Sequence, residues 1–190
     1  MSPDDVKSRL DVGPGAVVLS GLPGAGKSTL ARALADGLAD ARVIDKDEVR
    51  HALFAPCDYS AAERDITFSA MLDACRYHLG RRRVVVFDGL TFARRREVAA
   101  VEAMAAESGA FSAVIVCDVP VSVAVRRCQD DAATGAHRAA NRDADLVRRV
   151  AAEMEEPEGA YLTLTATRAL DELVGPALDW ITECASVRPA

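Results

Sequence analysis

Short apolar runs alternate along the chain with longer segments in which apolar residues recur at helical spacing. The short runs are rich in Val and Ile, which favour strands, and the longer periodic segments indicate helices. The predicted strands cover residues 16–20, 41–45, 83–87, 112–117 and 161–165. The predicted helices cover residues 27–38, 60–79, 94–107, 121–131, 144–155 and 168–182. This alternation is typical of βαβ units and predicts an α/β fold with a parallel sheet.

The helix predicted over residues 60–79 has the clearest boundaries. Ser60 and Glu63 have the spacing of a capping box, and Gly80 is expected to end the helix in a left-handed conformation. One face carries five apolar residues at helical spacing, so this face is expected to pack in the core. These residues are Phe68, Met71, Leu72, Cys75 and Leu79.

A polar segment interrupts the pattern at residues 132–143. It contains Gly135, His137, Arg138, Asn141 and Arg142. A segment of this composition between two helices indicates an excursion of the chain rather than a domain boundary. We therefore expect a small mobile lid over approximately residues 127–145, within a single domain that spans residues 1–190.

Length and charge narrow the possibilities further. The chain has 190 residues, a length that fits one domain. Half of the residues are hydrophobic and 27% are charged, a composition typical of a globular protein. Its net charge of −6 and its isoelectric point near 5.1 disfavour broad electrostatic binding to nucleic acid, because such binders usually carry a basic face. Nucleic acid is therefore not expected as a partner.

The cysteines and the hydrophobic pattern are typical of a cytoplasmic protein. The five cysteines are odd in number and form no C-x-x-C pair, which is typical of reduced thiols. The first fifteen residues hold several charges and no apolar core of a signal peptide, and no stretch approaches the length of a membrane span. We expect a cytoplasmic protein that does not engage a membrane.

The strongest motif follows the first predicted strand directly. Residues 21–29 read GLPGAGKST and match G-x-x-x-x-G-K-[ST] between a strand and a helix. Such a loop lets backbone N–H groups and a helix N-terminus converge on phosphate oxygens. Lys27 adds a charge for the β- and γ-phosphates, and the Ser28 hydroxyl is suited to Mg²⁺. The nucleotide-binding residues expected here are Gly21, Gly24, Ala25, Gly26, Lys27, Ser28 and Thr29.

This loop predicts the ligand class and leaves the reaction open. A GTPase needs an N-K-x-D motif after a strand to recognise the guanine base. The nearest string, at residues 141–145, reads NRDAD; it lacks the Lys and lies a helix beyond the fourth strand. Guanine specificity is therefore not expected. The chain is also too short for a motor or helicase core.

Carboxylates follow the second and third predicted strands. Ligands in an open parallel sheet lie outside the carboxyl ends of the strands, so Asp45, Asp47 and Asp88 are expected beside the phosphate loop. Phosphoryl transfer to an alcohol needs a group that takes or orients the hydroxyl proton, and Asp47 is our candidate for this base. Arg50 lies one helical turn later, where it can grip a polar or anionic acceptor group. The alternative is that Asp45 or Asp47 merely caps the helix that begins near Lys46.

Two further residues complete the candidate site. Asp88 stands where a carboxylate can hold Mg²⁺ through water, but it is equally placed to hold the substrate. Closing a phosphate site calls for mobile positive charge, and Arg127, on the helix after the fourth strand, is the candidate lid arginine that also contacts the nucleotide. Arg138 and Arg142 in the polar segment are further candidates.

The order of these motifs over residues 16–165 resembles the small P-loop kinases related to adenylylsulfate kinase, chloramphenicol phosphotransferase, zeta toxin and the kinase domain of phage polynucleotide kinase. The string Asp47 to Arg50 resembles the family's D-x-x-R element, in which Asp is the general base and Arg contacts the acceptor or its phosphate. Residues 87–96 resemble the segment whose Asp helps fix the acceptor, which here is Asp88. Arg127 matches the family's lid arginine, whereas a second lid arginine would fall at Asp131.

The resemblance implies a three-layer P-loop NTPase fold with a five-stranded parallel sheet in the order 2-3-1-4-5. It implies an ATP- and Mg²⁺-dependent kinase that phosphorylates a hydroxyl of a small molecule such as an antibiotic, a nucleoside or a sugar. Lys27, Asp47 and Arg127 would be catalytic. Two alternatives stay open: a 5′-hydroxyl polynucleotide kinase, and a regulatory module that binds ATP without catalysis.

Overall fold

The structure is a computed structural model that describes residues 9–134 and 143–187. Five strands are present in these ranges: β1 (Gly15–Ser20), β2 (Arg42–Asp45), β3 (Val84–Asp88), β4 (Phe111–Asp118) and β5 (Leu162–Thr165). The same ranges hold seven helices: α1 (Lys27–Gly37), α2 (Lys46–Phe54), α3 (Ala61–Leu79), α4 (Arg95–Glu107), α5 (Val121–Thr134), α6 (Ala144–Glu153) and α7 (Leu170–Ser186).

The strands form one parallel sheet in the order β2-β3-β1-β4-β5, so the predicted topology is confirmed. The central strand β1 is buried at every position, as expected for a strand covered on both faces. In the register of β2 against β3, Asp45 pairs with Asp88. The pairing brings two of the predicted carboxylates to the same carboxyl edge of the sheet.

Helices cover both faces of the sheet and give three layers. Because side chains alternate along a strand, Val17 and Leu19 of β1 join a core with α1 and α7 on one face, whereas Ala16 and Val18 join a core with α3 and α4 on the other. The predicted apolar face of α3 is confirmed, since Met71 and its apolar neighbours on α3 pack in this second core.

The ends of α3 differ from the expected geometry. Ser60 caps the helix by accepting the N–H of Glu63, but the Glu63 carboxylate accepts from Asp58 and Tyr59 instead of returning to the backbone of Ser60. The prediction of a left-handed end at Gly80 is wrong: its φ of −61° is right-handed, and the left-handed residue is Arg82, with φ of 59°.

The predicted lid lies only partly within the described residues. Helix α5 runs three residues further than expected, to Thr134, and α6 begins at Ala144 as predicted. The lid candidates Arg138 and Arg142 belong to residues 135–142, which lie outside the described ranges. Among the helices that are described, none has the length and apolar content needed to cross a membrane.

Candidate functional site

The phosphate loop connects β1 to α1 and has the backbone geometry expected of it. Gly21, Gly24 and Gly26 all have positive φ values. At Gly24 a side chain would place its Cβ 2.6 Å from the carbonyl oxygen of Ala124, so both the φ of 80° and the space require glycine. No side chain caps α1, whose N-cap is Gly26. The first N–H groups of this helix are therefore not committed to a side-chain cap and can bind an anion.

Lys27 begins α1 and folds back over this loop. Its Nζ donates hydrogen bonds to the carbonyl oxygens of Gly21 and Leu22 at 2.7 and 2.8 Å, and the residue is buried. These two hydrogen bonds hold the amino group of Lys27 at the loop. The structure therefore holds a fixed positive charge where phosphates would bind.

Ser28 links the loop to the end of β3. Its Oγ donates a hydrogen bond of 2.8 Å to Oδ1 of Asp88, and the same oxygen accepts the N–H of Gly89 at 2.7 Å. Asp88 is 2% exposed, so these bonds stabilise a carboxylate that has lost nearly all contact with solvent. The Ser28 hydroxyl and the Asp88 carboxylate are thus hydrogen-bonded to each other, and both residues line the site.

Asp45 and Asp47 have different roles at the start of α2. The carboxylate of Asp45 accepts the N–H groups of Asp47 and Glu48 at 2.7 and 3.3 Å, so Asp45 is the N-cap. Asp47 is in the first helical turn, 3.2 Å from Nζ of Lys46, and its side chain is 13% exposed. The cap is therefore supplied by a neighbour, and the carboxylate of Asp47 does not hold the helix end.

Arg127 of α5 reaches across to the phosphate loop. Its Nη1 donates to the carbonyl oxygen of Gly24 at 3.3 Å, and its Nη2 donates to that of Ala166, after β5, at 3.1 Å. A Cβ built on Gly26 would lie 3.9 Å from Nη1, which shows how closely the guanidinium approaches the loop. Lys27 and Arg127 thus bring two positive charges to the loop.

An open cleft of about 780 Å³ joins these parts. Its lining includes predicted site residues from the loop, from α2, from the end of β3 and from α5: Gly24, Ala25, Gly26, Lys27, Ser28, Thr29, Asp47, Asp88 and Arg127. Asp45 and Glu48 also line it. The phosphate loop and Asp47, the candidate general base, therefore line the same chamber.

Two predicted residues lie outside this lining. Gly21 does not line the cleft, and its carbonyl oxygen accepts a hydrogen bond from Nζ of Lys27. Arg50 is buried in α2, where its Nε is 3.9 Å from Oε2 of Glu63 and its guanidinium is 5.3 Å from the ring centre of Tyr59. Arg50 is thus packed between α2 and α3 rather than set in the wall of the cleft.

Several residues of the cleft were not singled out as site residues in the sequence. Asp130 and Asp131 follow Arg127 by three and four positions, so helical spacing alone places them on its face of α5. Arg168 comes from the turn after β5, for which the sequence carries no comparable signal. Cys117 also borders the cleft, and burial raises the pKa of its thiol to about 11, so this thiol stays neutral.

The arginines after β3 pair away from the cleft. Arg94 lies 3.6 Å from Glu153, and Arg95 lies 3.1 Å from Glu158 and also donates to the carbonyl oxygen of Glu156. These contacts attach the start of α4 to the last residue of α6 and to the segment that follows α6.

Known families and solved structures share this architecture. A family model described as an AAA domain matches residues 17–157. None of the curated proteins matches the sequence. Many solved structures have the same fold, among them two small-molecule kinases and a chain of an RNA repair complex.

An APS kinase, CysC of Mycobacterium tuberculosis, in complex with AMPPNP and APS, is 22% identical; the match covers 89% of this chain and 98% of that one, with a TM-score of 0.66. A gluconokinase from Sinorhizobium meliloti 1021 is 20% identical over 91% of this chain and 94% of that one, with a TM-score of 0.67. A Pnkp1/Rnl/Hen1 RNA repair complex contains a chain that is 19% identical; the match covers 83% of this chain and 51% of that one, with a TM-score of 0.56. The predicted resemblance to small P-loop kinases is thus confirmed in the fold.

Proposed function

The chain belongs to the AAA domain family, and from this premise we propose that it is an ATP-dependent phosphotransferase that moves the γ-phosphoryl group onto a hydroxyl of a small molecule. The observation that carries the proposal is the shared chamber: a carboxylate that does not cap its helix, Asp47, lines the same cleft as the phosphate loop. A carboxylate in this position can take or orient the proton of an acceptor hydroxyl.

ATP binding is supported by the loop and by two cations. The uncapped N-terminus of α1 and the N–H groups of the loop suit the phosphates of a nucleotide. Lys27 and Arg127 would offset charge on the phosphoryl oxygens, which is where electrostatic stabilisation of this reaction acts. The residues proposed to hold the nucleotide are Gly21, Gly24, Ala25, Gly26, Lys27, Ser28, Thr29 and Arg127.

The donor set beside the loop fits Mg²⁺. This ion takes oxygen ligands and is usually bound by one or two carboxylates together with the substrate phosphates. The Ser28 hydroxyl and the buried Asp88 carboxylate, joined by a 2.8 Å hydrogen bond, offer such oxygens beside the loop. Bound there, the ion would neutralise phosphate charge. We therefore assign Ser28 to the metal, and Asp88 to the nucleotide side in preference to the acceptor.

The acceptor is proposed to lie between the loop and α2. Asp47 would take or orient the proton of the attacking hydroxyl, which must approach the γ-phosphorus in line with the bond that breaks. Arg50, one turn further along α2, would contact another group of the same molecule. Both residues are on α2, so a single short helix would position the acceptor.

Incubation with Mg²⁺, γ-labelled ATP and a panel of small hydroxyl compounds tests the proposal. We expect the label to appear on at least one compound, with transfer lost when EDTA removes the metal. If the label appears only as inorganic phosphate over the whole panel, while a protein partner binds in a nucleotide-dependent way, the phosphotransferase assignment is wrong and the regulatory alternative holds.

A second candidate is a 5′-hydroxyl polynucleotide kinase, favoured by the fold shared with a chain of an RNA repair complex. The net charge of −6 weighs against it, because phosphate contacts supply most of the affinity for nucleic acid. A 5′-hydroxyl oligonucleotide in the same panel separates the two candidates. Polynucleotide activity would also show a steep loss of binding as salt rises.

A further inference from the structure

Four arginines lie together at the edge of the sheet opposite to the cleft. The turn from α3 to β3 contains Arg81, Arg82 and Arg83. The neighbouring strand β2 begins at Arg42. In the register of the sheet Arg42 pairs with Val85, two residues beyond Arg83, so the Cα atoms of Arg42 and Arg83 are roughly 8 Å apart. These four arginines are called the basic patch below.

The basic patch has no carboxylate partner among the residues that the structure describes. Three of its side chains are exposed, and that of Arg83 is half-buried. Because the patch contributes +4 to a net charge of −6, the rest of the chain carries a formal charge of −10. Four positive charges without acidic partners are thus concentrated on an otherwise acidic protein.

His78, in the last turn of α3, shows how close these charges are to one another. Nη1 of Arg83 lies 3.3 Å from Nδ1 of His78, and this nitrogen accepts the hydrogen bond because a guanidinium can only donate. Partial burial lowers the pKa of His78, and the charges of three arginines of the patch lower it further: Arg83, Arg42 and Arg81. The imidazole is therefore mostly neutral at pH 7, and three charges of the patch act on this one ring.

Contacts within the chain hold the patch in place but leave most of its donors available. The N–H of Arg82 donates to the carbonyl oxygen of Leu79 at 2.8 Å, which closes the turn. The guanidinium of Arg81 lies 3.7 Å from the ring centre of Tyr77, where the aromatic face attracts it. Each guanidinium of the patch has five N–H donors, and no more than one of them donates to another described residue.

The size of the patch favours a short acidic peptide over nucleic acid. Arg81 is two residues from Arg83, so the four Cα atoms lie within roughly 15 Å, the length of four or five extended peptide residues. A nucleic acid draws its affinity from many phosphate contacts, and a strand that ran beyond the patch would meet the excess negative charge of the rest of the protein. Carboxylates also match the planar fork of a guanidinium, which binds them through two hydrogen bonds.

We propose that the basic patch is a docking surface for a short acidic segment of a partner protein, whose Asp or Glu carboxylates bind the four guanidinium groups. The patch lies at the amino ends of β2 and β3, whereas Asp45 and Asp88, at their carboxyl ends, line the cleft. A partner docked on the patch therefore leaves the cleft accessible. The inference does not depend on the proposed function.

Binding of a fluorescein-labelled hexaglutamate peptide, measured by fluorescence anisotropy, tests the inference. The protein is first saturated with AMPPNP and Mg²⁺ to keep carboxylates off the phosphate loop, and labelled hexaglutamine is the neutral control. We expect saturable binding of hexaglutamate alone, with affinity lowered about fivefold or more in Arg81→Gln/Arg82→Gln, because two exposed charge contacts are lost. The matched control is Arg96→Gln/Arg149→Gln, which removes two exposed arginines from α4 and α6. It changes the net charge equally and is expected to bind like the wild type.

An NMR titration of the wild type keeps the test valid if Arg81→Gln/Arg82→Gln folds poorly. We expect hexaglutamate to shift the backbone amide resonances of residues 77–83 and of Arg42. The inference is overturned by the absence of saturable binding, by equal affinities in the two double variants, or by shifts confined to the cleft. Tighter binding of a labelled hexathymidylate than of hexaglutamate would assign the patch to nucleic acid and would overturn the choice of an acidic peptide.

Discussion

At the residue scale, the site depends on which buried polar groups have partners. The sequence predicts that Asp47 and Asp88 lie beside the phosphate loop, because both follow strands whose carboxyl ends share one edge. It does not predict the burial of Arg50, which depends on how α3 packs against α2. Glu63 illustrates the same limit: spacing predicts its place near Ser60, but only the tertiary fold sends its carboxylate to the turn before the helix.

Replacing Glu63 tests this residue as a support of the α2–α3 turn. Glu63→Gln keeps one acceptor but removes the charge and the second acceptor, so Arg50 loses the carboxylate that lies 3.9 Å from its Nε. Removing one partner of a buried ion pair costs roughly 3 to 5 kcal/mol, and we expect a loss near the lower figure, about 3 kcal/mol, in the free energy of unfolding by urea. Asp65→Asn, an exposed acid two residues later, is the control and should cost less than about 1 kcal/mol. Equal losses in the two variants would contradict this role of Glu63.

At the element scale, local signals predict where most helices begin, and tertiary contacts decide several of their ends. Asp45 caps α2 and Ser60 caps α3, both as short-range patterns indicate. The end of α3 departs from the pattern, because Gly80 continues the right-handed turn and the reversal occurs at Arg82 before β3. A glycine after an apolar face is thus compatible with a left-handed end but does not require one.

Two glycine substitutions with opposite expected effects test these backbone assignments. Gly80→Ala should raise the free energy of unfolding by about 0.4 to 1 kcal/mol, because φ is −61° and the added Cβ meets only ordinary contacts, at 3.6 Å or more. Gly24→Ala should lower it by about 2 kcal/mol or more, since a φ of 80° is strained for alanine and its Cβ would overlap the carbonyl of Ala124. Urea denaturation of both variants gives the comparison. A loss in Gly80→Ala similar to that in Gly24→Ala would show that α3 ends in a left-handed residue after all.

At the scale of the whole molecule, the alternation of strands and helices predicts the parallel sheet, and the phosphate loop with its family resemblance predicts the strand order. Two helical layers enclose the sheet, and the core on each side of the sheet contains a buried cysteine: Cys117 of β4, in the core with α1 and α7, and Cys75 of α3, in the core with α4. The chain pattern cannot reveal whether these layers unfold together, because that depends on packing across the sheet.

Thiol labelling in urea tests whether the two layers form one cooperative unit, as the prediction of a single domain requires. Burial raises the pKa of Cys75 to about 12 and that of Cys117 to about 11, so both native thiols are almost wholly protonated at pH 8. Burial also shields both thiols from the reagent. We expect both to resist iodoacetamide in the native protein and to become reactive at the same urea midpoint, as measured by peptide mass spectrometry. Labelling of one thiol at a distinctly lower urea concentration would show that the core on its side of the sheet opens separately.

The chamber shared by Asp47 and the phosphate loop is the central feature of the molecule, and the rate of γ-phosphoryl transfer in Asp47→Asn tests it most directly. The exposed acid Asp36 on α1 supplies the matched control, Asp36→Asn, and nucleotide affinity is measured alongside. With an acceptor that the wild type phosphorylates, we predict that Asp47→Asn transfers the phosphoryl group about 10² to 10⁴ times more slowly while binding AMPPNP as tightly as the wild type. Transfer by Asp47→Asn at the rate of the wild type and of Asp36→Asn would contradict the account.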